Sequence, residues 1–216
     1  MSNALILGPT GMVGSEVLGL CLANNEIDHV LSVGRRASGV KHSKLTEIVH
    51  RDFLDFSPLT IDLANTDVVF YCLGVYQAKV SKRQFWEITV DYLAALAQNI
   101  EQSNKHVRFC LFSAQGASTT ERSPIRFARA KGRAENILLA SGIKEKYIFR
   151  PGFIMPGPKF KSVTLSARLF EPVYRLFPMI GIDAPQLARV MVDIGINRHE
   201  MTVFENRDIR THAGAL

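Results

Sequence analysis

The chain has 216 residues, of which 47% are hydrophobic and 21% charged, and its formal net charge is +6 at pH 7. This composition is ordinary for a globular protein that is long enough to form one α/β domain with a full core. No apolar run is long enough for a membrane-spanning helix, and the N-terminal apolar run lacks the basic segment of a signal peptide.

The distribution of basic residues bears on nucleic-acid binding, and the cysteines bear on metal binding and cellular location. The basic residues are spread along the chain and form no basic arm, zinc finger or RNP motif, which argues against nucleic acid as a partner. Cys21, Cys72 and Cys110 are odd in number and lack metal-ligand spacing. We therefore expect buried free thiols, no metal site and a cytoplasmic location.

Short apolar runs alternate with segments of helical periodicity up to about residue 150. Most of the predicted strands are continuously apolar, as expected of strands that are covered on both faces. The pattern predicts an α/β fold, in which helices flank a doubly wound parallel sheet. The predicted strands cover 4–7, 29–33, 45–49, 67–73, 107–112 and 147–149, and the predicted helices cover 12–23, 81–102 and 125–140.

The alternation ends after Pro151. We interpret residues 1–216 as a single domain, with a core over 1–150 and a small C-terminal lobe over 151–216 that covers the cleft. Apolar residues of the lobe would line a substrate pocket, cover a partner surface or simply complete the core. The elements predicted in the lobe are a loop over 152–161, helices over 163–177 and 185–197, and a strand over 201–204. The apolar positions of the lobe are Phe160, Leu165, Leu169, Tyr174 and Phe177.

Three glycines lie between the first predicted strand and the first predicted helix. In a dinucleotide-binding turn, the first glycine permits the tight turn, the second lets the backbone approach the pyrophosphate, and the third lets the helix pack close to the strand. The helix N-terminus then offers unpaired N–H groups to the phosphates. The alternative is a glycine-rich turn without a ligand. The candidate cofactor residues of this turn are Gly8, Thr10, Gly11, Met12, Val13 and Gly14.

The end of the second predicted strand indicates which dinucleotide is bound. NAD enzymes place an acidic residue there to hold the ribose 2′-hydroxyl, whereas NADP enzymes place an arginine there for the 2′-phosphate. This strand is followed by Arg35 and Arg36, without an acidic residue. Since a guanidinium can hold a phosphate with two parallel hydrogen bonds, we expect NADPH rather than NADH. The alternative is a pair of solvated loop arginines.

The ends of the next two predicted strands fit the same ligand. Asp52 and Phe53 follow the third strand, at a position where an acidic and an apolar residue commonly flank adenine. Cys72, Leu73 and Gly74 end the fourth strand, and Gly74 would let the backbone approach the ribose. Cys72 is interpreted as a buried small residue rather than as a nucleophile.

Several motifs together resemble the short-chain dehydrogenase/reductase superfamily. More narrowly, the chain resembles the atypical branch that includes the Tat-interacting-protein-like oxidoreductases and the NmrA-like proteins. The resemblance covers nearly the whole chain and implies a Rossmann fold with NADPH in the cleft. The motifs that carry it are GPTGMVG, VGRR, YCLG, FSAQGA, ARAKGRAE, FRPGFI and VFENRDI.

The resemblance also implies a catalytic serine, tyrosine and lysine, with the tyrosine four residues before the lysine. Lys131 matches the lysine that holds the nicotinamide ribose, but the tyrosine position is Phe127, which has no proton to donate. The serine is usually the second of a Ser-Ser pair, which here is Ser113 followed by Ala114. Ser113 substitutes only if the register slips by one residue.

The resemblance further implies that Pro151, Phe153 and Ile154 flank the nicotinamide, and that the helix over 81–102 forms a homodimer. Tyr76, near the cleft mouth, is the candidate for another proton donor. Two functions remain open. One is an NADPH-dependent oxidoreductase that acts on a small carbonyl compound or enone. The other is a non-catalytic NADPH-binding sensor or regulatory protein that acts through a protein partner.

Overall fold

The computed structural model describes residues 1–157 and 178–216. The helix that the sequence predicts over 163–177 lies outside the described residues. The five apolar positions named for the C-terminal lobe lie outside them as well.

One parallel sheet dominates the described part of the chain. Its strand order is β3-β2-β1-β4-β5-β6-β9, and every pair of neighbours is parallel. The chain reverses its direction of winding between β1 and β4, so the carboxyl ends of these two strands form the switch point where such folds bind ligands. This sheet confirms the predicted Rossmann-like fold. The strands are β1 Ser2–Leu7, β2 Ile27–Gly34, β3 Leu45–Val49, β4 Val68–Tyr71, β5 Arg108–Phe112, β6 Glu145–Arg150, β7 Phe153–Met155, β8 Gly181–Asp183 and β9 Val203–Glu205.

Helices cover both faces of the sheet. The helix predicted over 81–102 consists of α3, a π-helical turn over Glu87–Asp91, and α4. A capping box between Ser81 and Gln84 begins it. The sequence did not predict α2 or α7. The helices are α1 Met12–Ala23, α2 Thr60–Ala64, α3 Lys82–Trp86, α4 Tyr92–Ser103, α5 Arg126–Ala140, α6 Ala184–Asn197 and α7 Asn206–Ala213.

The described residues after Pro151 form a small second sheet and also contribute a helix and a strand to the main domain. The prediction of a loop over 152–161 was wrong in part, because this segment contains β7, which pairs in parallel with β8 as a second, two-stranded sheet. Further along the chain, α6 packs on α1, and β9 extends the main sheet beside β6. The division into a core and a lobe stays a prediction.

Two apolar cores lie on opposite faces of the main sheet. Adjacent residues of β1 point to opposite faces, so that Ile6 joins the core under α1 and α6, whereas Leu7 joins the core under α4 and α5. This burial on both faces explains why the strands are continuously apolar in sequence. Within the described ranges, no helix is both long and apolar enough to cross a membrane.

Candidate functional site

The turn after β1 has a backbone that only glycine tolerates well. Gly8 has a φ of +81°, and a Cβ atom at this position would lie 2.8 Å from the Cys72 carbonyl oxygen. The Gly8 N–H donates to the Val33 carbonyl oxygen at 3.2 Å, and the Gly11 N–H donates to the Gly8 carbonyl oxygen at 3.0 Å. The turn is therefore held between the carboxyl ends of β2 and β4.

Helix α1 begins directly above this turn. The Ser15 N–H makes the first bond of the helix, to the Gly11 carbonyl oxygen at 3.0 Å, so the N–H groups of Met12, Val13 and Gly14 have no partner within the helix. A side chain at Gly14 would collide with the Gly8 carbonyl oxygen. This close approach aims the free N–H groups and the positive end of the helix dipole at the space beside the turn. Thr10, within the turn, is partly exposed.

The two arginines after β2 lie beside the glycine turn. A Cβ atom at Gly34 would lie 3.3 Å from the Pro9 Cδ atom and 3.2 Å from the Arg36 carbonyl oxygen. Arg35 and Arg36 are exposed, and neither guanidinium has an ion pair with a residue of 1–157 or 178–216. Backbone N–H groups and guanidinium groups are both donors to anionic ligands, and the described residues bring the two kinds of donor to one edge of the sheet.

The residues after β3 lie at the same edge, but their side chains differ in exposure. Asp52 is exposed and accepts a hydrogen bond from the Leu54 N–H at 3.0 Å. The Phe53 side chain is only 2% exposed and stacks on Tyr92 with 5.4 Å between ring centroids. The Phe53 ring therefore belongs to the core and is not exposed in the cleft. Arg35 lies close enough to Tyr92 to oppose the rise in the pKa of this tyrosine, which is caused by burial and by a hydrogen bond to Glu87.

The residues that follow β4 lie at the switch point of the sheet, beside the carboxyl end of β1. The Cys72 N–H donates to the Leu7 carbonyl oxygen at 2.9 Å. Burial raises the pKa of the Cys72 thiol to about 12, so the thiol is neutral at pH 7 and is not a nucleophile. Leu73 is partly buried, and Gly74 is exposed with open space where a Cβ atom would lie. That space leaves room for a ligand.

Lys131 extends from α5 to the carboxyl end of β5. Its Nζ atom donates to the Phe112 carbonyl oxygen at 3.2 Å and lies 5.4 Å from the centroid of the Phe112 ring. Burial lowers the pKa of Lys131 to about 8, although the negative charge of Glu135 opposes this shift. The ammonium group thus lies at the same edge of the sheet as the glycine turn.

Phe127 lies one turn before Lys131 on α5, where the resemblance implies the tyrosine. Its ring stacks on Phe85 with 6.1 Å between centroids, in an apolar cluster that also contains Val75 and Val80. The Phe127 side chain and the side chains around it are therefore apolar, and residue 127 cannot donate a proton.

Ser113 belongs to a buried polar network. Ser113 is 1% exposed and donates from its hydroxyl group to the carboxylate of Glu135, which is fully buried. Arg150 also binds Glu135, through its Nε atom at 3.0 Å, and binds Glu205 through its Nη1 atom at 2.7 Å. Sequence reasoning missed Glu135 and Arg150. A signal was present, because Glu135 follows Lys131 by one helical turn and Arg150 ends a buried strand.

The remaining candidate residues follow β6 and β4 in the chain. Pro151 is buried, and its carbonyl oxygen accepts a hydrogen bond from the Gln115 N–H at 2.8 Å. Phe153 and Ile154 belong to β7 and are partly buried. Tyr76 is 47% exposed, and the Lys79 Nζ atom lies 5.5 Å from its ring centroid. Among the described residues, no group of three or more His, Cys, Asp or Glu side chains could hold a metal ion.

Comparison with known proteins places the chain in a family. The sequence model of the NAD dependent epimerase/dehydratase family matches residues 4–134. The chain is 25% identical over 153 residues to "Protein FMP52, mitochondrial" of Meyerozyma guilliermondii, covering 71% of this chain and 65% of that protein, just under two thirds. It is 28% identical over 211 residues to the protein of the same name in Candida albicans, covering 90% of each chain.

Two solved structures share the fold. The Bordetella bronchiseptica enzyme WbmH, in complex with NAD+, has a TM-score of 0.72 and 17% sequence identity, and the match covers 95% of this chain and 75% of WbmH. MoeE5, in complex with UDP-glucose and NAD, has a TM-score of 0.69 and 18% sequence identity, covering 93% of this chain and 74% of MoeE5. At these identities, the comparisons show the fold alone.

The relatives correct one prediction. The cytoplasmic location expected from the sequence was wrong, because curated relatives from Meyerozyma guilliermondii, Emericella nidulans and Candida albicans are named mitochondrial. The prediction depended on the cysteines and on the absence of a signal peptide. Neither observation separates the cytosol from a mitochondrion, since each argues only against secretion.

Proposed function

Because the chain belongs to the NAD dependent epimerase/dehydratase family, we propose that it binds NADPH at the carboxyl edge of its sheet and reduces a small carbonyl compound. The single observation that carries the proposal is the pair of exposed guanidinium groups of Arg35 and Arg36 beside the glycine turn, which form no ion pair with the part of the chain that the structure describes. An acidic residue, which would favour NAD, is absent from that strand end.

The adenosine half of the cofactor fits the first part of the site. The N–H groups at the start of α1 would bind the pyrophosphate, and Arg35 and Arg36 would bind the 2′-phosphate. Asp52 and the backbone at Phe53 would lie beside adenine. The exposed Gly74, after Cys72 and Leu73, would let the backbone approach a ribose.

The nicotinamide half fits the ends of β5 and β6. Lys131 would donate its hydrogen bonds to the nicotinamide ribose, and Pro151, Phe153 and Ile154 would flank the ring. When bound, the dihydronicotinamide supplies the hydride. The chain itself must orient the carbonyl compound and deliver a proton to its oxygen atom.

The proton must come from a group other than the usual tyrosine. Phe127 has no hydroxyl group, and the Ser113 hydroxyl already donates to Glu135. We therefore assign the proton transfer to Tyr76, which follows the exposed Gly74 by two residues and is itself 47% exposed. The Lys79 Nζ atom lies 5.5 Å from the centroid of the Tyr76 ring.

A second candidate function is a non-catalytic NADPH-binding sensor or regulatory protein that acts through a protein partner. Two observations favour it. Phe127 belongs to an apolar cluster with Phe85, and Ser113 is committed to a structural network. The homodimer that the superfamily resemblance implies also stays a prediction.

An assay of NADPH oxidation against a panel of small aldehydes, ketones and enones tests the proposal. We expect turnover with at least one compound, and we expect Tyr76→Phe to lower kcat by about 10²–10⁴-fold, as for loss of a general acid. Tyr147→Phe removes a tyrosine hydroxyl group that binds the His199 N–H and Glu145, and as the control it should leave kcat unchanged. Tight NADPH binding without turnover of any compound would support the sensor instead. Full activity of Tyr76→Phe would remove Tyr76 from the mechanism.

A further inference from the structure

Glu47 lies in the middle of β3, at the edge of the sheet, and reaches the loop that follows β2. Its Oε1 atom accepts a hydrogen bond from the Ser38 N–H at 2.7 Å and another from the Ser32 hydroxyl group at 3.2 Å. Ser32 is the register partner of Glu47 on β2 and is 2% exposed. The Gly39 N–H is also a donor to this carboxylate.

These bonds fix the loop that carries the two arginines. At one end of the loop, the Gly34 carbonyl oxygen accepts a hydrogen bond from the His50 N–H at 3.0 Å. At the other end, Ser38 is bound to Glu47, and Gly39 turns the chain away with a φ of +79°. Arg35 and Arg36 lie between these two ends, and their guanidinium groups form no ion pair with the described residues.

We infer that Glu47 is a positioning residue for the phosphorylated cofactor: it holds the loop over residues 35–39 in the conformation that presents Arg35 and Arg36 to the 2′-phosphate. This inference rests on the proposed function. A loop that is already ordered before binding loses little conformational freedom when the ligand binds. The hydrogen bonds of Glu47 should therefore increase the affinity for NADPH. Because only NADPH carries the 2′-phosphate, the gain is specific for NADPH.

The charge of Glu47 does not compete with the phosphate for the arginines. Burial disfavours its ionised form, but hydrogen bonds from Ser38, Ser32 and Gly39 outweigh this effect and hold the pKa of Glu47 below its ordinary value. The carboxylate is thus ionised at pH 7 and is already bound by three donors. An uncharged acceptor of the same shape would serve the loop as well.

Three variants test the role of Glu47, with the dissociation constants of NADPH and NADH as the readout. We expect Glu47→Ala to weaken NADPH binding about tenfold and to change NADH binding less than twofold. Glu47→Gln keeps an acceptor at the same position and should restore NADPH binding to within about threefold of the wild type. Glu26→Ala removes an equal charge from the opposite end of β2 and should change neither constant.

The outcomes separate the inference from the proposed function. Glu47→Ala could weaken the binding of NADPH and NADH equally, or weaken neither, while Arg35→Ala weakens the binding of NADPH alone. In that case the role of Glu47 is refuted, but the NADPH site is retained. If the wild type binds neither nucleotide, the proposed function itself fails. Should Glu47→Ala not fold, Glu47→Asp retains the charge but withdraws the carboxylate by one methylene group, and the same NADPH-specific loss is expected.

Discussion

Replacement of the buried Glu135 by glutamine should destabilise the protein far more than the same change at its surface. Glu135 is fully buried and accepts hydrogen bonds from Ser113 and from two nitrogen atoms of Arg150. In Glu135→Gln, one acceptor becomes a donor, and Arg150 loses its buried counter-charge. Breaking a buried ion pair costs about 3–5 kcal/mol. Because the Arg150 side chain is 17% exposed and keeps Glu205, we expect the lower end of this range.

Equilibrium unfolding in urea measures the effect. The matched control is Glu121→Gln, whose ion pair with Arg133 has side chains that are 34% and 49% exposed. A pair so exposed contributes about 0–1 kcal/mol. A loss below about 1 kcal/mol for Glu135→Gln, or equal losses in the two variants, would refute the reasoning that the network is a structural element of the site.

Three further predictions concern the glycine turn, the lysine and the core. Gly14→Ala should lower stability and cofactor affinity, since its methyl group would meet the Gly8 carbonyl oxygen. Gly19→Ala on the same helix, with open space around it, should stabilise by about 0.5–1 kcal/mol, as urea unfolding would show. Because the pKa of Lys131 is lowered from 10.5 to about 8, the unfolded chain binds more protons between these values. The free energy of unfolding of the wild type should therefore rise from pH 8 to 10 relative to that of Lys131→Met. A difference between the two proteins that stays constant over this pH range would contradict this. The buried Tyr71 hydroxyl group has no hydrogen-bond partner among residues 1–157 and 178–216, so Tyr71→Phe should be neutral or stabilise by about 1 kcal/mol in thermal unfolding, whereas a clear loss of stability would contradict this.

Much of the fold could be predicted because its signals are local. The strands β1 and β4 are apolar on both faces, and the glycines after β1 lie where a strand meets a helix. The short β7 could not be predicted, because three residues carry no periodicity and its pairing depends on β8, which is distant in sequence. The π-helical turn between α3 and α4 is likewise invisible in a helical pattern that continues through it.

The roles of the candidate site residues stay predictions, but the structure shows which of their contacts the sequence could not reveal. Arg35 and Lys131 lie at the expected edge of the sheet, since the carboxyl ends of parallel strands meet there. The contacts of Ser113 were not predictable, because Glu135 and Arg150 reach it from other elements. Phe53 shows the same limit, as its ring points into the core although its backbone follows β3.

The most direct test of the central claim is a titration of the wild type with NADPH and with NADH by calorimetry, at the same salt concentration. We predict that NADPH binds at least tenfold more tightly, a difference of about 1.4 kcal/mol. The preference should disappear in Arg35→Ala and Arg36→Ala, whereas Arg207→Ala, at the exposed start of α7, should keep it. Equal affinity for both nucleotides, or binding of neither, would contradict the assignment of the site to NADPH.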